Sequence, residues 1–409
     1  MTLPGQTRIT QAFCLETGST IAPFGEKVGE SLVLGQTLCE SQEAALRRAG
    51  LNRVETPPTD QPYLVYTDRC WFTSDAIRRF VASGAIGRAA LDHEAYLLQT
   101  RSLQTDPQHP EIAIIPRGAP PSLEGPLLPL DLNLRAFTGA TLHPAMAHAQ
   151  PSAPVGSSAL IHGIEHWSHL LRVNLLAMLA RTEEFRLDFE AWPWWRKVAG
   201  LVALLWRSKG FSIAKLARGL SRIGKNCRIH PTAVVEGCEL ADEVEVGPHA
   251  VLRGCTVGRG ARIEPHAVAN LAVIGAGARL SQGAYVNLCV LLPGALVSRG
   301  NGFQMSVFGR DSFVAVGATI LDLSFGRAIR VDHSGERVDT ESHFLGACVG
   351  HRARVGQGVR IGYGSFIPND ALLVAPPDDV LKRWPEDLME PACVRDGVAT
   401  AVKPASSES

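Results

Sequence analysis

The chain has 409 residues, a formal net charge of +0 and a pI near 7.2, so no overall basic field points to nucleic acid or anionic lipid as a partner. Nine cysteines without a C-x-x-C pair exclude a disulfide framework and a zinc knuckle. The length exceeds one ordinary core and suits two or three domains. No run approaches the ~18 apolar residues of a membrane span. Met1 to Phe13 lacks the apolar centre of a signal peptide, so a reducing cytoplasm is the expected compartment.

Residues 1–155 predict an α/β domain. Glu43 to Gly50 reads as a helix stopped by Gly50 and followed by Leu51-Asn52-Arg53-Val54. Tyr63-Leu64-Val65-Tyr66 reads as a short buried strand ending at Thr67-Asp68. Ser74 to Ala82 predicts a second helix with Ser74 as its N-cap, and Glu111 to Ile115 a further strand. Alternation of strand and helix predicts a sheet with helices packed on it.

The succession Val33-Leu34-Gly35-Gln36-Thr37-Leu38, Leu46 to Leu51, and Leu64 to Asp68 resembles a sugar-phosphate nucleotidyltransferase in reduced form. His166-Trp167 to Asn174-Leu175-Leu176 is similar to the helix that precedes the β-helix in members of that family bearing one. The resemblance implies that Asp68 stands where the family's metal-binding Asp ends a strand, a substrate-binding position. Mg²⁺ enters only if this domain is active. The sequence departs from the family at its G-x-G-T-R loop, whose glycines let backbone N–H groups reach a triphosphate. Thr17-Gly18-Ser19-Thr20 and Phe24-Gly25-Glu26-Lys27 stand there instead. Asp68 alone holds Mg²⁺ poorly without a second carboxylate. A structural turn is therefore the expected role for Asp68, and the domain is expected to be degenerate.

Residues 116–156, with Pro116, Pro120, Pro121, Pro126 and Pro129, predict loop or linker and a boundary near 155. Residues 156–222 predict a helical connector. His162, Glu165, His166 and His169 have i, i+3, i+4, i+7 spacing and would share one helix face. That arrangement suits a transition metal, a proton shuttle or a polar domain interface. No Glu follows His162, which excludes the H-E-x-x-H order. Trp192-Pro193-Trp194-Trp195-Arg196-Lys197 opens an apolar helix, Val198 to Trp206. Such a segment lies flat on a membrane as a peripheral contact, or, in the preferred reading, plugs the open end of the solenoid that follows.

From Ile223 to Ile320 the chain repeats. Three apolar columns start at Ile223, Ile229 and Val235, and each returns 17 places later, as at Leu240, Val246 and Leu252. A six-residue sub-period excludes a helical repeat and predicts a parallel β-helix with three short strands per coil. Six coils at ~4.8 Å spacing would stand roughly 29 Å tall. Ile223-Gly224, Val246-Gly247, Val257-Gly258, Ile274-Gly275, Val349-Gly350, Val355-Gly356 and Ile361-Gly362 resemble the hexapeptide-repeat motif, with glycine expected at tight corners. The resemblance implies a left-handed parallel β-helix over 223–375. A homotrimer is the expected assembly, because flat prism faces favour closed cyclic symmetry. Cys238, Cys255 and Cys289 share one coil position and predict a ladder of small buried residues. His249 and His266, each preceded by Pro, predict stacked corners, either a base-and-ligand pair for substrate or solvent-facing residues. Leu271 stands where a γ-class carbonic anhydrase triad would need a further His, so that chemistry is excluded.

Residues 322–343 interrupt the coils with Asp332, His333, Glu336, Asp339, Glu341 and His343, predicting a polar loop thrown outward. In hexapeptide acyltransferases, which this region resembles, a His near such a loop deprotonates the acceptor while acyl-CoA lies along the coil groove. The resemblance implies His343 with Glu341, or His333 with Asp332, as the catalytic pair. Asp378 to Met389 predicts a helix and Ala392 to Val402 a strand, together capping the end over 376–409.

The expected function is a hexapeptide-type transferase acting on a small-molecule sugar phosphate or nucleotide sugar, moving an acyl group from acyl-CoA, over a degenerate nucleotidyltransferase domain. One alternative is a non-catalytic nucleotidyltransferase homologue that binds a ligand or serves assembly. Another, a membrane-surface assembly protein, rests on Trp192 to Trp206 alone.

Overall fold

The computed structural model describes residues 9–91, 96, 101–136, 155–208, 213–390 and 392–401. Among these, the N-terminal head holds a six-stranded sheet in the order Asn52–Val54, Gln11–Leu15, Tyr63–Thr67, Ile112–Ile115, Gly87–Ala90, Leu127–Pro129. The first three strands are parallel, and Ile112–Ile115 runs against Tyr63–Thr67.

Helix α1 (Leu38–Ala49) starts five residues before Glu43, the predicted first residue, because a capping box nucleates it. The Glu40 amide donates to Thr37 Oγ1 at 3.2 Å, and the Thr37 amide donates to Glu40 Oε2 at 2.9 Å. Gly50 ends it in the left-handed region at φ 84°, as expected. Helix α2 (Ser74–Ala82) is capped by Thr73 rather than Ser74, the Ala76 amide donating to Thr73 Oγ1 at 3.4 Å.

The head extends beyond the expected boundary at 155. Ile161–Gly163 pairs antiparallel with Cys70–Phe72. Trp167, Leu170, Leu171 and Val173 of helix α3 (Trp167–Ala191) are buried in the same core as Leu64 and Tyr66. His162 therefore lies on a strand and His166 is the N-cap of α3, so the four polar residues do not share one helix face. Their helical spacing in the sequence spans a strand, a turn and a helix start.

The C-terminal half is a parallel β-helix of three sheets, with eight strands in each of two and five in the third. Leu240, Val257, Ile274, Leu291 and Phe308 stand opposite one another in register and are buried. The other two columns line the same interior. Ile223, in the first coil, is half exposed. The cysteine ladder forms as expected: the Cys255 amide donates to Cys238 Sγ at 3.3 Å, and Cys238, Cys255 and Cys289 are buried thiols.

The glycines of the repeat have a different cause from the expected corner geometry. At Gly247, Gly258, Gly275 and Gly350 a Cβ would come 2.5–2.8 Å from backbone of the next coil, at Pro265, Ala276, Pro293 and Asn369 respectively. These glycines let coils touch. The positive-φ corners fall elsewhere, at Glu243, His249, Gly260, His266 and Gly277.

The outward column of the first sheet begins polar, with Arg222, Glu239 and Thr256, and then turns apolar at Val273, Val290, Val307 and Cys348. Those four are buried and belong to the head's core. The insertion, expected to be thrown outward, instead folds back as a hairpin, Arg330–His333 with Glu336–Asp339. Its Ile329 and Val331 are fully buried in that shared core, and Ser102 Oγ donates to the Asp339 carbonyl.

Helix α4 (Trp194–Ser208) does not plug the solenoid. Helix α5 (Ile213–Leu220) covers the first coil, where the Gly237 amide donates to the Ala217 carbonyl at 2.9 Å, and α4 packs on α5. Asp378 to Met389 forms no helix beyond a turn at Pro377–Asp379, since Pro385 would break one. Ala392–Arg395 and Val398–Ala401 form a hairpin. No described helix is long and apolar enough to cross a membrane.

Two alanine substitutions separate the roles of glycine. Gly275→Ala forces two coils apart and should cost about 1–3 kcal/mol, whereas Gly277→Ala, with open space around it and φ +65°, should cost about 1 kcal/mol. Urea unfolding of both variants checks the order, and equal losses would refute the contact explanation.

Candidate functional site

Open α/β sheets bind ligands outside the carboxyl ends of the strands where strand order reverses. In the head that point lies between Gln11–Leu15 and Tyr63–Thr67, where Asp68 emerges. Asp68 is buried, and its Oδ1 accepts from the Thr17 amide at 3.0 Å and from Thr17 Oγ1 at 2.7 Å. The Asp68 amide donates to the Leu15 carbonyl at 3.2 Å. Asp68 thus serves as a structural turn that ties the two strand ends together. Among the described residues no group of three His, Cys, Asp or Glu is placed to hold a metal ion. Asp68 Oδ1, the atom the resemblance would offer to Mg²⁺, is already engaged by Thr17. Beside this point lies an open cleft of 940 Å³ with Glu16, Glu43, Arg47, Arg53 and Glu55 on its walls. Cys14 lies in the same wall, where burial pushes its thiol up to about 12.

The segment from Phe24 to Lys27 is fixed to the solenoid. Phe24 stacks on His351 with ring centroids 4.6 Å apart, and Asn369 Nδ2 donates to the Phe24 carbonyl at 2.7 Å. Arg310 donates to Glu26 Oε2, and His351 Nε2 lies 3.5 Å from the same oxygen. The Arg310 amide donates to His351 Nδ1 at 2.9 Å, which places the imidazole proton on Nε2, facing Glu26. Burial would raise the Glu26 carboxyl, but His351 and Arg310 outweigh it and hold the group below its ordinary 4.5. Sequence reasoning missed this clamp, because Glu26 and His351 are 325 places apart and lie in unlike contexts.

A second polar cluster joins head, α3 and insertion. His162 and His169 have ring centroids 5.1 Å apart, His166 and His169 6.2 Å, and His166 and His333 5.5 Å. His169 Nδ1 accepts from the Glu165 and His166 amides at 3.0 and 3.2 Å, capping α3. Gln104 Nε2 donates to the Gly163 carbonyl at 3.0 Å and holds the His162 ring. Burial pushes His162 and His166 down to about 3, assisted by Arg172 and His333 respectively, and His169 lies well below its ordinary value for the same reason.

Asp332 and His333 are consecutive on a strand, so their side chains face opposite ways. Asp332 is exposed beside Arg337 at 3.4 Å, and His333 joins the histidine cluster. Glu341 is exposed in a left-handed turn at φ 55°. His343 is half-buried at the root of the insertion, where Nδ1 meets the Ser324 carbonyl at 3.2 Å. A carbonyl only accepts, so Nδ1 carries the proton in this contact. Asp322 opens the same root, and burial raises its carboxyl. His249 and His266 stack at the solenoid corner, centroids 5.2 Å apart and 17° between planes, both exposed and both at positive φ.

Compared with known families and curated proteins, the chain matches no family model and no curated protein.

Two outcomes test the clusters. Because the folded imidazoles of the histidine cluster bind protons less readily than the unfolded ones, stability falls as pH drops below about 6.5. His162→Gln should flatten that acid limb by about 1.4 kcal/mol per pH unit between roughly pH 6 and 4, measured by denaturant unfolding across pH. Glu26→Ala leaves Arg310 and His351 without their carboxylate and should cost about 1–3 kcal/mol at neutral pH. That loss should shrink in acid, since the clamp's stabilisation is present above about pH 4.5 and disappears as Glu26 protonates.

Proposed function

We propose that the chain is a hexapeptide-repeat transferase on a left-handed β-helix, moving an acyl group from acyl-CoA to a sugar phosphate or nucleotide sugar. The observation that carries this reading is His343, whose proton on Nδ1 is held by the Ser324 carbonyl at the point where an insertion leaves the coils. In the proposed step the acceptor oxygen or nitrogen forms a bond to the thioester carbonyl carbon and gives its proton to the His343 imidazole. The carbon–sulfur bond breaks, and the imidazolium proton passes to the departing thiolate. His249 and His266 are proposed to line the donor's path. The half-exposed outward column Val234, Val251, Val268 and Tyr285 supports a homotrimer in which one subunit's face completes the groove of the next.

A second reading, a non-catalytic nucleotidyltransferase homologue acting as scaffold, is favoured by Asp68 being tied to Thr17 and Glu26 to the solenoid. Acetyl-CoA separates the two. Under the transferase reading it raises the melting temperature by linkage, and His343→Ala keeps that rise while transfer to a sugar phosphate falls about 10²–10⁴-fold. Melting unchanged by acetyl-CoA, sugar phosphates and nucleotides would leave the scaffold.

A further inference from the structure

Helix α4 carries a surface that neither the head nor the solenoid uses. Trp194, Trp195, Val198, Leu201, Val202 and Trp206 are each more than half exposed, Trp206 reaching 82%. At 100° per residue they form one arc of roughly 140°, too wide to be the scattered apolar exposure of an ordinary surface. Trp192 packs on the other side, its ring close to Gly200, with the Arg196 guanidinium 4.4 Å from the ring centroid. The arc is therefore the face left over after α4 has packed. The helix spans about 22 Å at 1.5 Å per residue.

The sequence around this helix is one-sided in charge. Between Glu190 and Glu236 the sequence holds no Asp or Glu, but it holds Arg196, Lys197, Arg207, Lys209, Lys215, Arg218, Arg222, Lys225 and Arg228. In a chain of net charge +0, this is a concentrated basic segment. Arg196 and Lys197 lie beyond the two edges of the apolar arc, about 100° apart around the helix. Lys197 Nζ donates to the Glu190 carbonyl at 2.7 Å, and Arg218 on α5 is exposed. A protein partner covering the arc would need only apolar complementarity. The basic residues add a demand for negative charge, and tryptophan on the apolar face suits the headgroup boundary of a bilayer.

We infer that α4 is an interfacial anchor that lies in the headgroup region of an anionic lipid surface, with the tryptophan and aliphatic arc inserted and the basic residues among the phosphates. No described helix can cross the membrane, so the attachment is peripheral and reversible. It holds the first-coil end of the β-helix to the surface, because α4 packs on α5 and α5 covers that coil.

The full chain is sedimented with phosphatidylcholine vesicles, with and without about one-third phosphatidylglycerol. The anchor predicts binding to the anionic vesicles that exceeds binding to neutral ones by at least about tenfold and weakens with salt. Val202→Asp should abolish binding, and paired Arg196→Glu and Lys197→Glu should remove the anionic preference. Val202 is exposed, so an unchanged melting temperature shows that each variant folds. Absence of binding to either vesicle overturns the inference. So does a dimer in analytical ultracentrifugation that Val202→Asp converts to monomer, which would assign the arc to a second copy of the chain.

Discussion

The arrangement depends on one buried seam, the apolar stretch of the solenoid's outer face at Val273, Val290, Val307 and Cys348. The outward positions of a β-helix ordinarily meet water, and Glu239 one sheet-neighbour away from Thr256 shows that pattern, paired with Arg181 of α3 at 2.8 Å. From Val273 onward the same column is covered. Burying each valine contributes about 1.5–2 kcal/mol, enough in sum to make separation of head and solenoid unfavourable. Asn174 sets the position of α3 on this seam. Its Oδ1 accepts from the Leu34 amide at 2.7 Å and its Nδ2 donates to the Leu32 carbonyl at 3.0 Å, so the buried amide has partners on both ends.

The seam bears on function through what it immobilises. Phe24 is stacked on His351 and Glu26 is held by Arg310, so this segment of the head is fixed to the solenoid. The switch point of the sheet is occupied by the Thr17–Asp68 hydrogen bonds. The head's polar residues are thus spent on attachment, while the insertion root keeps a histidine of defined tautomer at the solenoid.

The solenoid was legible in the sequence because its determinant is local and periodic. A 17-residue return of inward aliphatic residues admits one stacking register, and the strands follow it. The aliphatic–Gly pairs were visible too, though their cause is contact between coils rather than corner strain. The apolar turn of the outer column at Val273 was equally open to reading, and it would have announced a covered face. What stayed hidden was non-local. His162 has helical spacing to His169, yet it pairs with Trp71 across a sheet, and no pattern within residues 156–191 reveals that partner. The polar insertion read as a solvent loop because Ile329 and Val331 are isolated among charges, although both are fully buried against the head. Asp332 and His333, one of the two expected acid–base pairs, are adjacent on a strand and so face apart.

Native-state hydrogen exchange with rising denaturant, read on Tyr63–Thr67 of the head and Val290–Leu291 of the solenoid, tests the shared seam most directly. If the two parts are one cooperative unit, both strands lose protection in the same step, and Val290→Asp lowers that step for both. Exchange of the head strand at lower denaturant, with the coil strand still protected and the head unaffected by Val290→Asp, would contradict the account.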